Sequence, residues 1–127
     1  MELTTLSNSR VKVLALAGSF SKTTAAAAHQ WLDEATVEPP AYVVVDLAGV
    51  RFMDSTALST LVHAMKRARA LGGDVRLSGL QQPVRMIFEM TRLDRIFEIF
   101  NHIDDAVQAF SLIAEPRQAE LKDDPGD

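Results

Sequence analysis

Asp46-Leu47-Ala48-Gly49-Val50-Arg51-Phe52-Met53-Asp54-Ser55 joins two different hydrophobic patterns. The run ahead of it, Tyr42-Val43-Val44-Val45, is continuously apolar, as in a strand covered on both faces. Behind it, Leu58, Leu61, Val62, Met65 and Ala68 recur at helical spacing between Ser55 and Leu71. The pattern predicts a strand over Tyr42–Leu47, a short turn, and a helix opening at Asp54-Ser55-Thr56-Ala57-Leu58. A helix start leaves N–H groups unpaired and carries positive potential. Asp54 or Ser55 can fill that need as an N-cap. The same geometry suits a phosphate or carboxylate.

Working outward, Val11, Val13 and Ala15 alternate with Lys12, Leu14 and Leu16, so Arg10–Ala17 is read as a strand. Leu3–Leu6 is expected to pair with it as an edge strand, with Asn8 in the turn. Gly18-Ser19-Phe20-Ser21 is read as a loop, and Thr23 or Thr24 as the cap of the next helix. Ala28, Trp31, Leu32 and Ala35 share one face of that helix, which Glu38-Pro39-Pro40 stops. Gly72-Gly73 ends the helix that starts near Ser55. Val75–Ser78 follows as a strand, then a helix with Pro83 first and Val84, Ile87 and Phe88 inward. Ile96–Phe100 is read as a short strand. Ile103–Ile113 is a last helix with Ala106, Val107 and Phe110 inward. Alternating strands and helices predict a single α/β domain, with a mixed central sheet of four to five strands and about four helices. Its helical crossovers join parallel strands. The domain is expected over residues 1–114, with an acidic, disordered tail over 115–127.

The chain has 127 residues, enough for one domain with its own core. It is 47% hydrophobic and 24% charged, as a globular protein is. Its net charge of −4 comes mostly from the segment after Ala114, so neither part has the basic balance of a nucleic-acid binder. There is no cysteine, which removes disulfide and thiolate chemistry and fits a reducing cytoplasm. Met1-Glu2-Leu3-Thr4 lacks the features of a signal peptide. No apolar run is long enough to insert in a membrane.

Catalytic and metal motifs are not found. His29, His63 and His102 are scattered, and none is expected to meet a ligand partner three or four residues on. Neither a Gly-x-Ser-x-Gly elbow nor a phosphate-binding Gly-x-x-x-x-Gly-Lys loop occurs. Asp46 is expected at a strand end, bonded to loop backbone, and Asp54 at the helix start, so the two do not read as a catalytic pair. Lys66-Arg67-Ala68-Arg69 lies near a helix end, where cations suit the dipole, and is read as a solvated face.

Several stretches, in order, resemble the STAS domain, the module of bacterial anti-sigma factor antagonists and of sulfate transporter tails. They are Val43-Val44-Val45-Asp46-Leu47, Val50-Arg51-Phe52-Met53-Asp54-Ser55-Thr56-Ala57-Leu58, Gly72-Gly73-Asp74-Val75-Arg76-Leu77, Val84-Arg85-Met86-Ile87-Phe88-Glu89-Met90-Thr91 and Leu93-Asp94-Arg95-Ile96-Phe97. The resemblance is collinear from about Val11 to Ile113. It implies a non-enzymatic, cofactor-free regulator. Such a regulator binds an anti-sigma factor with serine kinase activity and is phosphorylated on the serine after the motif's aspartate, here Ser55. It is released by that modification and reset by a phosphatase. Thr56 is the fallback acceptor. The resemblance also implies a partner surface around Ser21, Asp54, Ser55, Thr56 and Ala57. It leaves open whether the chain is a monomer or a homodimer. An alternative within the same resemblance is a scaffold or regulatory subunit with another partner, as in a stressosome or a lipid-transport ABC system. One stretch and two single positions depart from the family's usual residues. Gly18-Ser19-Phe20-Ser21 stands for Gly-Glu-Leu-Asp, and Ala57 and Arg92 each stand for glycine.

Overall fold

The central strand is longer than its valine run. In the computed structural model, which describes residues 1–6 and 10–114, β3 spans Tyr42–Met53. It pairs in parallel with β2 (Val11–Phe20) on one side and β4 (Asp74–Ser78) on the other. β1 (Glu2–Leu6) adds antiparallel to β2, and the two-residue β5 (Ile99–Phe100) adds parallel to β4. Sheet order therefore follows chain order, β1 to β5. The parallel pairs are joined by helices α1 (Ala25–Ala35), α2 (Ser55–Ala70) and α3 (Gln82–Met90), as parallel strands require. The last helix, α4, spans Ile103–Ala114.

The sheet is covered on both faces, which is why the first part of β3, Tyr42–Val45, reads as unbroken apolar sequence. Val43, Val45 and Leu47 join Leu14 and Leu16 in a core with α1, α2 and α3. Val44 joins Val11 and Val13 in a second core with Ala106, Val107 and Phe110 of α4. Burying one such side chain stabilises the fold by roughly 1.5–3 kcal/mol. On α1, Ala28, Leu32 and Ala35 are buried, while Trp31 is half-buried and its indole N–H donates to Thr5 Oγ1 at 2.8 Å.

Several boundaries differ from the sequence reading. No turn separates Leu47 from Asp54, and Gly18–Phe20 is strand rather than loop. The β2–β3 ladder runs on through Ser19↔Phe52 and Phe20↔Met53, with register shifts between Ala15 and Ala17 and between Gly18 and Ser19. Those shifts break the two-residue alternation that marks a strand in sequence. Phe20, Val50 and Met53 are buried there. Downstream, Ile96–Phe100 is not one strand. Leu93–Arg95 forms a 3₁₀ turn, and Phe97 packs edge-on against Phe88, ring centroids 5.9 Å apart. Only Ile99 and Phe100 are left to pair. Pro83 is the second residue of α3 rather than the first. The expected turn at Asn8 and the expected tail over 115–127 lie outside the described residues.

Gly72-Gly73 closes α2 as expected. Gly72 takes φ +80°, Gly72 N–H donates to Arg69 O, and Gly73 N–H donates to Ala68 O. Gly73 serves a second purpose, since a Cβ there would lie 1.9 Å from Ala41 O. The equivalent position after α3 is Arg92, in the left-handed region at φ +65°. Two substitutions should therefore move stability in opposite directions. Gly73→Ala should cost more than about 2 kcal/mol, because backbone must move. Arg92→Gly should gain about 0.5–1 kcal/mol by removing a left-handed side chain. Denaturant midpoints of the two variants would check both.

Candidate functional site

The site is built where β2 and β3 end together. Because Phe20 pairs with Met53, the residues that follow, Ser21-Lys22 and Asp54-Ser55, emerge side by side. Asp54 N–H donates to Phe20 O at 3.4 Å, and Asp54 is then the N-cap of α2, with extended backbone. Its Oδ1 accepts from Ala57 N–H at 3.0 Å, the usual capping bond. Its Oδ2 accepts from Lys22 N–H at 2.8 Å, across 32 positions of chain. The Lys22 N–H, then that of Ala57, holds the Asp54 carboxyl below its ordinary value of 3.8. Asp54 is therefore a fixed negative charge at neutral pH.

Ser55 is the first residue of α2 and Thr56 the second, both exposed. Ser55 is not the cap, so its hydroxyl is not used by the helix start. Ala57 is fully buried in the main core. Its methyl group points away from the surface, and only its N–H takes part in the site. Ser21 is half-buried in the neighbouring loop. Its N–H donates to Thr24 Oγ1 at 2.9 Å, and its Oγ lies 3.3 Å from Thr23 Oγ1. Thr24 is the N-cap residue of α1, but its side chain does not bond the helix. It donates instead to Ser19 O at 2.7 Å and pins the loop. Ser21, Asp54, Ser55 and Thr56 thus share one ridge. Lys22 escaped the sequence reading because its contribution is a main-chain N–H, which no side-chain pattern reports.

Other expectations shift. Asp46 lies within β3, not at its end, and accepts from Ser78 Oγ at 2.9 Å, a side chain of β4 rather than loop backbone. His29 does meet a partner four residues on, Asp33, at 3.2 Å. Asp33 also accepts from Arg67. Arg69 donates to Asp74 Oδ1 at 2.8 Å and to Ile96 O at 2.6 Å, so the basic run is tied into tertiary contacts rather than simply solvated. Among the described residues, no group of three or more His, Cys, Asp or Glu could hold a metal. No helix there is long and apolar enough to cross a membrane. A separate cleft of about 250 Å³ is lined by Asp46, Ala48, Gly79, Asn101, His102, Ile103 and Asp104, and includes none of the ridge residues.

The family model described as the STAS domain matches residues 2–106. The anti-sigma-B factor antagonist of Listeria monocytogenes is 34% identical over 86 residues, covering 68% of this chain and 75% of that protein. The anti-sigma-F factor antagonist RsfB of Mycobacterium tuberculosis is 27% identical over 108 residues, covering 83% and 85%. Among solved structures, an anti-sigma factor antagonist from Mycobacterium paratuberculosis superposes with a TM-score of 0.74 at 27% identity, covering 85% of this chain and 93% of that one.

The lowered Asp54 carboxyl has a consequence for stability. A carboxyl held low when folded contributes stability that is complete above its unfolded value of 3.8 and is lost as pH falls through the folded one. Asp54→Asn keeps one capping oxygen and loses the charge. The variant should melt lower than wild type at neutral pH, with the gap closing below about pH 4. Melting curves between pH 7 and pH 2.5 would test it, and a constant gap would show that the charge plays no part.

Proposed function

The chain belongs to the STAS-domain family, and from that premise we propose that it is an anti-sigma factor antagonist switched by phosphorylation at Ser55. It is a regulatory binding protein, not an enzyme, and works in the cytoplasm. Unmodified, it binds an anti-sigma factor with serine kinase activity through the ridge of Ser21, Lys22, Asp54, Ser55 and Thr56. That frees the sigma factor. The bound kinase modifies Ser55, the complex separates, and a phosphatase restores the binding form.

One observation carries this reading: Asp54 caps α2, which leaves the exposed Ser55 hydroxyl available for chemistry. The first turn of a 16-residue helix tolerates added negative charge, because its N–H groups and dipole face that charge. Phosphorylation there adds about −1.5 to −2 without breaking the helix start. The added charge sits beside the ionised Asp54. A partner arranged for one carboxylate must then accept or repel far more charge, which disrupts an interface. A penalty of only about 3 kcal/mol would lower affinity more than a hundredfold.

The cap assignment sharpens the test. Ser55→Ala should change stability by less than about 0.5 kcal/mol, as at a surface site away from special contacts. It should bind the anti-sigma factor as wild type does but take up no phosphate and stay bound when ATP is added. Ser55→Asp should bind more weakly, by less than the phosphoserine does. Phosphopeptide mapping after incubation with the cognate kinase identifies the acceptor. Label on Thr56 would move the switch by one residue. Label on neither, with wild-type release by Ser55→Ala, would sink the proposal.

A further inference from the structure

The two edges of the sheet are treated differently. β5 ends the sheet with only two residues, a length that offers little to another strand. β1 ends it with five, Glu2-Leu3-Thr4-Thr5-Leu6, paired to β2 in unbroken register from Glu2↔Ala17 to Leu6↔Val13. Among the described residues its outer edge meets no strand. Of the usual guards it has only the single charge of Glu2, with no lysine, no proline and no bulge. Four of its five residues are exposed, and Leu6 is 39% exposed. A row of main-chain donors and acceptors on such an edge is satisfied by water or by another strand.

We infer that β1 is a self-association edge, and that its occupant is β1 of a second copy, antiparallel about a two-fold axis at Thr4. The sequence is self-complementary in that arrangement. Glu2 falls opposite Leu6, Leu3 opposite Thr5, and Thr4 opposite Thr4 of the partner. The strand's one charge never meets its own copy: the two Glu2 side chains lie roughly 14 Å apart along the strands, beyond a Debye length at physiological salt. Threonine pairs directly across a ladder are favourable. The result is one continuous ten-stranded sheet. The interface is small, below the ~1,200 Å² of a standard complex, so the dimer is weak and concentration-dependent. β1 is the edge strand beyond β2, whereas the ridge at Asp54 is built by β2 and β3. The proposal therefore stands or falls independently of the phosphoswitch.

Sedimentation equilibrium on the full chain from about 10 µM to about 1 mM should show reversible monomer and dimer, spanning the range of weak association. Thr4→Lys and Thr4→Glu each place like charges face to face and should be monomeric throughout. Mixing them should restore a heterodimer at least as stable as the wild-type dimer. The chain has no cysteine, so Thr4→Cys gives a single reporter: opposed positions lie within disulfide reach, and mild oxidation should link the chains. His63→Cys, on the exposed side of α2, should not link. Circular dichroism checks that the charged variants fold; if they do not, the Thr4→Cys result decides alone. A wild-type monomer at about 1 mM, undiminished association of Thr4→Lys, or no link through Thr4→Cys would overturn the inference.

Discussion

A single carboxylate ties together the end of the sheet that carries the candidate site. Asp54 accepts the Ala57 N–H with one oxygen and the Lys22 N–H with the other. The first bond starts α2, and the second fixes the loop that leads into α1. Both bonds are made to main-chain donors, so they restrain backbone rather than side chains. Because two N–H groups stabilise the ionised form, the charge is permanent over the physiological range. The site thus has its shape and its electrostatics from one group.

That arrangement depends on the sheet. β2 and β3 run in parallel to the same level, so their exits lie adjacent although 32 residues separate Lys22 from Asp54. The register shifts after Ala15 extend both strands past the point where β4 stops. Phe20, Val50 and Met53 anchor the extension in the core beneath the ridge. On the proposed reading, a rigid platform of this kind would give a modification on Ser55 something to act against. Charge added to a mobile loop can be moved aside, whereas charge added to the first turn of a packed helix cannot.

Much of this was legible in the residues. Nearly continuous apolar sequence at Tyr42–Leu47 signalled a strand buried on both faces. Helical spacing located α1, α2, α3 and α4. Gly72-Gly73 marked a helix end whose hydrogen bonds follow the expected pattern. The candidate residues Asp54, Ser55 and Thr56 could be picked out because capping residues precede a helical run. The extension of β2 and β3 was hidden, because bulged register erases the alternation on which strand reading depends. Ile96–Phe100 misled in the opposite way: an apolar run looks the same whether its residues pair in a sheet or, like Phe97, plug a core.

What the sequence alone determined was local: which segments are strands and helices, which faces are apolar, and that an aspartate and a serine stand at a helix start. Those follow from spacing and propensity within a few residues. Tertiary structure alone decided which of the two caps the helix, because the choice rests on Asp54 also reaching Lys22 from a different part of the chain. It decided that Ala57 turns its methyl into the core while Ser55 faces outward. It decided that Asp46 answers to Ser78 on the neighbouring strand and not to a loop. Contacts between residues about thirty positions apart are set by strand register, and register is a property of the assembled sheet.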